Sequence, residues 1–192
     1  QYQIPCDAKL VMLAQTTFSL IAGDNATNIK LGRNNLTATK TGDQNYSTCF
    51  GNAQMESDGR YYWEFKLDNF CEVEDIFVGV ANRTVDAQAC STHSGGYWGY
   101  MPLCAKRFSH EDTGNLIDYG YSHKVGEIVG VLLHIKKGQG TLAFFRGGMC
   151  CGKAFEGIPV PICPAVTLMG LPNTVVQVTM DPRAQLPVYD LA

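Results

Sequence analysis

An all-β fold, of the sandwich or barrel kind, is predicted by three features of this 192-residue chain. Apolar side chains alternate with polar ones at a period of two, as they do in strands with one buried face. Turn-forming Gly, Asn and Asp residues recur at short intervals between these segments. No long segment carries the apolar stripe of an amphipathic helix. Many short strands separated by such turns are typical of sandwiches and barrels.

Individual strands can be assigned from these patterns. Arg60–Leu67 and Thr174–Met180 alternate between apolar and polar residues, which predicts half-buried strands. Asp75–Ala81 and Ile128–Ile135 are apolar at nearly every position, which predicts strands covered on both faces. In Gly126–Phe155, glycine-containing turns separate three such runs, so this segment is predicted to form a β-meander.

Length and composition indicate one globular domain, since 45% of the residues are hydrophobic and 17% are charged. The formal net charge is −3, and the densest basic sites, Lys136-Lys137 and Lys106-Arg107, carry only two charges each. Nucleic-acid-binding domains usually carry a basic face, so we expect no nucleic-acid partner. The longest apolar run, Ile128–Leu133, is far shorter than the ~20 residues that span a bilayer. We expect no membrane association and a monomer as an isolated domain.

Eight cysteines are present. Their even number fits a disulfide framework, but a chain of this length can bury a sufficient core without one. Cys49 and Cys163 lie within apolar strand patterns, where a free cysteine acts as a small hydrophobic residue. We therefore expect reduced thiols and an intracellular protein, located in the cytoplasm. Four N-x-[ST] triplets point the other way but arise often by chance in loops rich in Asn and Thr; they begin at Asn25, Asn35, Asn45 and Asn82.

A phosphate-binding loop is suggested by Gly147–Lys153, which matches the G-x-x-x-x-G-K part of that motif. The following residue is Ala154, where the motif requires Ser or Thr to hold Mg²⁺. Gly157 and Pro159 come next, so no helix N-terminus is predicted that could hold an anion. We expect a hairpin turn followed by a strand instead.

Metal and catalytic motifs are also missing from the sequence. There is no Cys-x-x-Cys or His-Glu-x-x-His spacing, and the adjacent Cys150 and Cys151 would point to opposite faces of a strand. No G-x-S-x-G nucleophile elbow occurs, although a Cys–His pair that meets only in space stays open. The clustered carboxylates Glu72, Glu74 and Asp75 are best interpreted as a solvated loop. We predict no cofactor, no metal and no enzymatic activity.

The order and spacing of several short motifs resemble those of a SPRY domain. The motif-bearing core covers residues 58–179, preceded by lead-in strands in 7–57 and followed by a tail in 183–192. The matching runs are Gly59–Phe65, Phe77–Ala81, Tyr97–Tyr100, Gly126–Leu133, Gly140–Gly148, Gly152–Phe155 and Cys163–Val166. The resemblance implies a single domain, 1–192, folded as a bent sandwich of two antiparallel sheets, like the concanavalin A jelly roll. It also implies a non-catalytic protein-interaction module, used in ubiquitin-ligase adaptors and scaffolds.

The same resemblance implies a binding site for a peptide of the partner, on loops at one end of the sandwich. The four loops are Thr39–Ser47, Asp68–Asp75, Val85–Tyr97 and Leu168–Pro172. Position by position, the family's ligand contacts fall on Lys40, Gly42, Glu72, Val73, Glu74, Thr92, His93, Met169, Gly170 and Leu171.

The chemistry of these positions departs from that of the peptide-binding members. Lys40 stands where Arg is usual, and the second loop is acidic. We therefore expect a basic or mixed-charge segment, with an apolar anchor near Met169 and Leu171. One alternative is a structural domain that packs within a larger parent protein. Another is a secreted, lectin-like carbohydrate-binding domain, which Trp98 supports poorly because the polar residues expected around it are missing.

Overall fold

Fourteen strands form two antiparallel sheets of seven in the computed structural model, which describes residues 18–42, 44–71, 75–112 and 115–187. The predicted all-β sandwich is confirmed. The first sheet has the order β1 (Leu20–Ala22), β4 (Ser47–Gly51), β13 (Cys163–Met169), β6 (Asp75–Ala81), β7 (Tyr97–Met101), β8 (Lys106–Ser109) and β9 (Ile117–Asp118). The second has the order β12 (Met149–Pro159), β11 (Gln139–Arg146), β10 (Ile128–Lys136), β5 (Gly59–Asn69), β14 (Val175–Asp181), β3 (Thr37–Thr41) and β2 (Ile29–Gly32). Two single 3₁₀ turns, Ser91–His93 and His110–Asp112, complete these elements.

The core lies between the two sheets and follows the predicted alternation. In β5, Trp63, Phe65 and Leu67 are fully buried and face the first sheet, as the sequence pattern predicts. Trp98 of β7 belongs to the same cluster, so both tryptophans are core residues. Burial of such rings is a main source of stability for a sandwich.

The predicted meander is confirmed by the pairing of β10 with β11 and of β11 with β12. The third strand is longer than predicted: β12 continues past Phe155 to Pro159, and its pairing with β11 contains register shifts. Gly147 and Gly148 form the turn, and Lys153 lies within β12 rather than at the start of a helix. This geometry excludes a phosphate-binding loop there.

Each sheet also carries apolar side chains on its outer face. On the first sheet, Phe77, Tyr97 and Phe108 form a second cluster, which the long connection from β6 to β7 covers. On the second sheet, Tyr62 and Phe145 pack beneath the chain that follows β14. Residues 188–192 of the predicted tail lie outside the described residues.

All seven cysteines in the described ranges carry free thiols; Cys6 lies outside those ranges. Cys49 and Cys163 are fully buried, which confirms their interpretation as small hydrophobic residues. Burial raises the pKa of the Cys49 thiol to about 12 and that of Cys163 to about 11. Both groups therefore stay protonated and unreactive near neutral pH.

His123 links the stability of the domain to pH. Its ring is buried, Nδ1 lies 2.9 Å from the carbonyl oxygen of Tyr121, and burial lowers its pKa. Above the unfolded value of about 6.5, both states hold a neutral ring. Below it, the unfolded chain binds a proton more readily than the folded protein does. The free energy of unfolding therefore decreases as the pH falls. We expect the melting temperature to drop between pH 7.5 and 5, and to drop less in His123→Asn. Equal slopes for the two proteins would contradict this role of His123.

Candidate interaction site

Two of the four predicted loops are joined through their backbones at one end of the sandwich. They are the loop between β3 and β4 and the loop between β13 and β14. The amide of Gly42 donates to the carbonyl of Thr174, and the amide of Gln44 donates to that of Gly170, both at 3.0 Å. These two hydrogen bonds fix the loops as one unit, which we name the loop pair (residues 42, 44–46 and 169–174).

Close backbone approach explains the glycine in the first loop. A Cβ atom built on Gly42 would lie 1.4 Å from the carbonyl oxygen of Leu171, so no other residue fits without separating the loops. The Leu171 carbonyl also accepts from the amide and the hydroxyl of Thr174, at 3.1 and 2.7 Å. Gly42, Gly170 and Leu171 are thus brought together as predicted, with the half-buried Met169 at the end of β13.

Lys40 is a correction to the predicted site. It lies within β3 rather than in a loop, and its side chain is 0% exposed and points into the sandwich. Its Nζ donates to the carbonyl of Thr27 at 2.8 Å, and the Ser47 hydroxyl donates to the same carbonyl at 2.7 Å. Lys40 therefore joins β3, β4 and the β1–β2 loop from inside, and its ammonium cannot reach a ligand at the surface.

The acidic second loop falls largely outside the described residues, which include neither Glu72 nor Val73 nor Glu74. The residues on either side are placed: Cys71 is exposed, and Asp75 begins β6 directly opposite Met169 of β13. The β5–β6 connection therefore re-enters the sheet beside the loop pair. Its predicted contribution to binding remains a prediction.

The third loop, predicted to lie with the others at one end of the sandwich, leaves the first sheet at the opposite end from the loop pair. From the end of β6 it folds back along the outer face of the sheet. The carbonyl of Ala87 accepts from the amide of Thr48 at 2.9 Å, and the hydroxyls of Ser91 and Thr167 lie 2.7 Å apart. Thr167 is two residues before Met169, so this loop comes close to the loop pair over the sheet face.

Thr92 and His93 have different environments within that loop. Thr92 is buried, and its hydroxyl lies 3.1 Å from the Cys90 sulfur and 3.0 Å from Nδ1 of His93. Thr92 therefore holds the loop together and is too buried to meet a ligand. His93 is exposed, so of these two predicted contacts only His93 is accessible.

Apolar groups surrounded by polar ones characterise the surface of the loop pair. Met169 and Leu171 are half-buried, and Tyr46 stacks on Phe77 with ring centroids 5.8 Å apart. The exposed polar residues around them are Gln44, Asn45 and Asn173. Such a patch with a polar rim is typical of protein-binding surfaces. Tyr46 was not among the predicted contacts, although it is the one aromatic residue of its loop.

Among the described residues, no group of three or more His, Cys, Asp or Glu side chains is placed to hold a metal ion. Within the same residues, no helix has the length and apolar character needed to cross a membrane.

Comparison with known proteins agrees with this fold. The family model of the SPRY domain matches residues 60–183. The SPRY domain of human HERC1 superposes with a TM-score of 0.67 at 16% identity, covering 88% of this chain and 99% of that one. A second human SPRY domain gives a TM-score of 0.69 at 15% identity, covering 83% and 98%. A search of curated proteins gives no match.

Proposed function

Because the chain belongs to the SPRY domain family, we propose that it binds a peptide segment of a partner protein through the loop pair. SPRY domains are in general protein-interaction modules, typically without catalytic activity. The finer assignment, to one end of this sandwich, is supported by the geometry of the loops that meet there.

The observation that carries the proposal is the double backbone link between the two loops. Because Gly42 and Gln44 are hydrogen-bonded to Thr174 and Gly170, the loops are held in one arrangement before any partner arrives. Binding to a preorganised surface loses less conformational entropy than binding to mobile loops. A rigid strand frame that carries recognition loops is a common arrangement in β-sandwich binders.

The chemistry around the loop pair suggests the kind of ligand. Met169 and Leu171 offer a partly exposed apolar surface, to which an aliphatic or aromatic anchor can bind. Glu72 and Glu74 come shortly before Asp75 in the sequence, and Asp75 lies opposite Met169. We expect their negative charge to favour a basic ligand at this surface. The proposed ligand is a basic or mixed-charge segment with one apolar anchor.

We also propose a biological setting, based on the role of the family. A module of this kind would select substrates for an intracellular, cytoplasmic ubiquitin ligase or assemble a scaffold, while other proteins or domains carry the chemistry. Its own contribution is affinity and selectivity for one partner segment.

The test is a set of variants used to capture partners. Met169→Asp, and separately Glu72→Lys with Glu74→Lys, should weaken binding of a captured partner by at least about tenfold, since a buried or unpaired charge at an interface costs more than 1.4 kcal/mol. Thermal unfolding of each variant should show a folded protein, so that lost binding reports on the site and not on the fold. Leu116→Asp, at an exposed apolar position on another loop, is the matched control. A partner that binds Met169→Asp and the double variant as tightly as the parent protein would refute the proposal.

A further inference from the structure

A groove of ≈190 Å³ lies on the outer face of the second sheet, away from the loop pair. Its floor is formed by Tyr62, Gly130 and Phe145, on β5, β10 and β11. Gly147 and Gly148 of the β11–β12 turn close one end. The loop pair is instead attached to β3, β4, β13 and β14, so the groove is a separate surface.

The floor of the groove holds a carboxylate in a fixed position. A Cβ atom on Gly130 would lie 2.2 Å from the Tyr62 hydroxyl oxygen, so the glycine is what lets the ring lie across the strand. The Tyr62 ring also packs edge-to-face against Phe145, with centroids 5.6 Å apart. Its hydroxyl donates to Oε1 of Glu64 at 2.8 Å. Glu64 is thereby oriented along the groove wall.

A second carboxylate lies beside the first. Asp181 of β14 is directly opposite Glu64 of β5, on the same face of the sheet. Within the described ranges neither side chain forms an ion pair; Oδ1 of Asp181 accepts only the backbone amide of Arg183, at 2.9 Å. Like charges directly opposite each other on a sheet are destabilising. A cation bound between Glu64 and Asp181 would remove that repulsion.

An exposed apolar side chain lies at the edge of the same groove. Ile128, which lines it, is 41% exposed. Among the described residues only a few large apolar side chains are as exposed as this one. Exposed aliphatic side chains beside charged groups are typical of a protein-binding surface.

The chain itself shows how an extended segment packs against this sheet. After β14 it crosses the outer face, where Ala184 and Leu186 contact the cluster of Tyr62 and Phe145. Pro187 then comes within 3.8 Å of the Cβ position of Gly148. The groove beside it continues an apolar surface that already accepts alternate side chains of an extended chain.

We propose that this groove is a second docking site, for an extended segment of another protein that carries Lys or Arg next to an aliphatic residue. The cation binds between Glu64 and Asp181, and the aliphatic side chain packs on Ile128. A partner could occupy the groove and the loop pair independently, because Asp181 lies at the far end of β14 from the loop pair.

The test uses two fluorescent decapeptide pools, with Leu-Lys-Leu or Leu-Arg-Leu at the centre of one and Leu-Glu-Leu at the centre of the other. The basic pool should bind at least about tenfold more tightly, since charge-assisted hydrogen bonds contribute more than about 1.4 kcal/mol. Glu64→Gln and Asp181→Asn should each weaken it by about tenfold, and Ile128→Ser by several-fold. Glu56→Gln and Leu116→Ser are the matched controls for charge and apolar exposure, and neither should change binding. Met169→Asp should also leave it unchanged.

Several results would overturn the proposal. The cation site is refuted if both pools bind with equal affinity. It is also refuted if Glu64→Gln and Asp181→Asn keep the parent melting temperature and bind the basic pool with full affinity. Binding that appears only after residues 188–192 are deleted assigns the groove to the chain's own terminal segment. A dimer seen by sedimentation and lost in Ile128→Ser assigns it to a second copy.

Discussion

Replacement of Trp63 by Ala is expected to lower the free energy of unfolding by ~3–5 kcal/mol, because it leaves a large cavity in the centre of the core. The Trp63 side chain is 0% exposed and packs edge-to-face against Phe18, with ring centroids 5.9 Å apart. For a domain of this length the melting temperature should fall by roughly 10 °C. Thermal and urea unfolding of the two proteins measure the effect.

Trp63→Phe is the matched control, since it keeps an aromatic ring in the same place. The indole N–H of Trp63 is buried and has no hydrogen-bond partner among the described residues. The phenyl ring removes that unsatisfied donor, which offsets part of the lost packing. We expect a loss of only about 1–2 kcal/mol. An alanine variant as stable as the phenylalanine variant would show that the tryptophan is not a core residue.

Replacement of Gly42 by Ala is expected to have the second-largest effect. The added Cβ atom would lie 1.4 Å from the Leu171 carbonyl oxygen, a backbone atom that cannot rotate away. The two loops must then separate, with loss of the hydrogen bonds from Gly42 and Gln44. We expect a loss of at least about 2 kcal/mol in stability and loss of partner binding. Thermal unfolding and titration with the partner give the two readouts.

Gly32→Ala tests whether this effect is specific to the loop pair. Gly32 lies in β2, and a Cβ atom there meets nothing within 4 Å. Alanine at this position should leave stability and binding nearly unchanged. If Gly42→Ala and Gly32→Ala behave alike, the two loops are not held together in the way described.

The strands of the central core could be predicted from sequence because each buries one face completely. In β5 and β14 this produces an alternation of apolar and polar residues that can be recognised without any knowledge of the neighbouring strands. The sequences of β3 and β4 show no such alternation of apolar and polar residues. Their buried positions include Lys40, Ser47 and Thr48, which are satisfied by partners far away in sequence. Because these buried positions carry polar residues, the sequence pattern alone does not distinguish β3 and β4 from loops.

The candidate site was predicted in part for the same reason. Gly42, Gly170 and Leu171 meet as expected, because they lie next to the ends of strands that pair. Lys40 was wrongly taken as a surface residue, since its burial depends on the Thr27 carbonyl of a separate loop. The course of the third loop depends on the outer cluster beneath it, including Phe77 and Phe108, which no local pattern reveals.

Amide hydrogen exchange of the domain, alone and with its captured partner, tests the central claim most directly. Bound partner should slow exchange in residues 44–46 and 169–174 and leave the outer face of β10 and β11 unchanged, provided that the partner segment uses the loop pair alone. Titration of Met169→Asp with the same partner should abolish this protection. Protection confined to a flat sheet face, with no change in either loop, would contradict the assignment of binding to the loop pair.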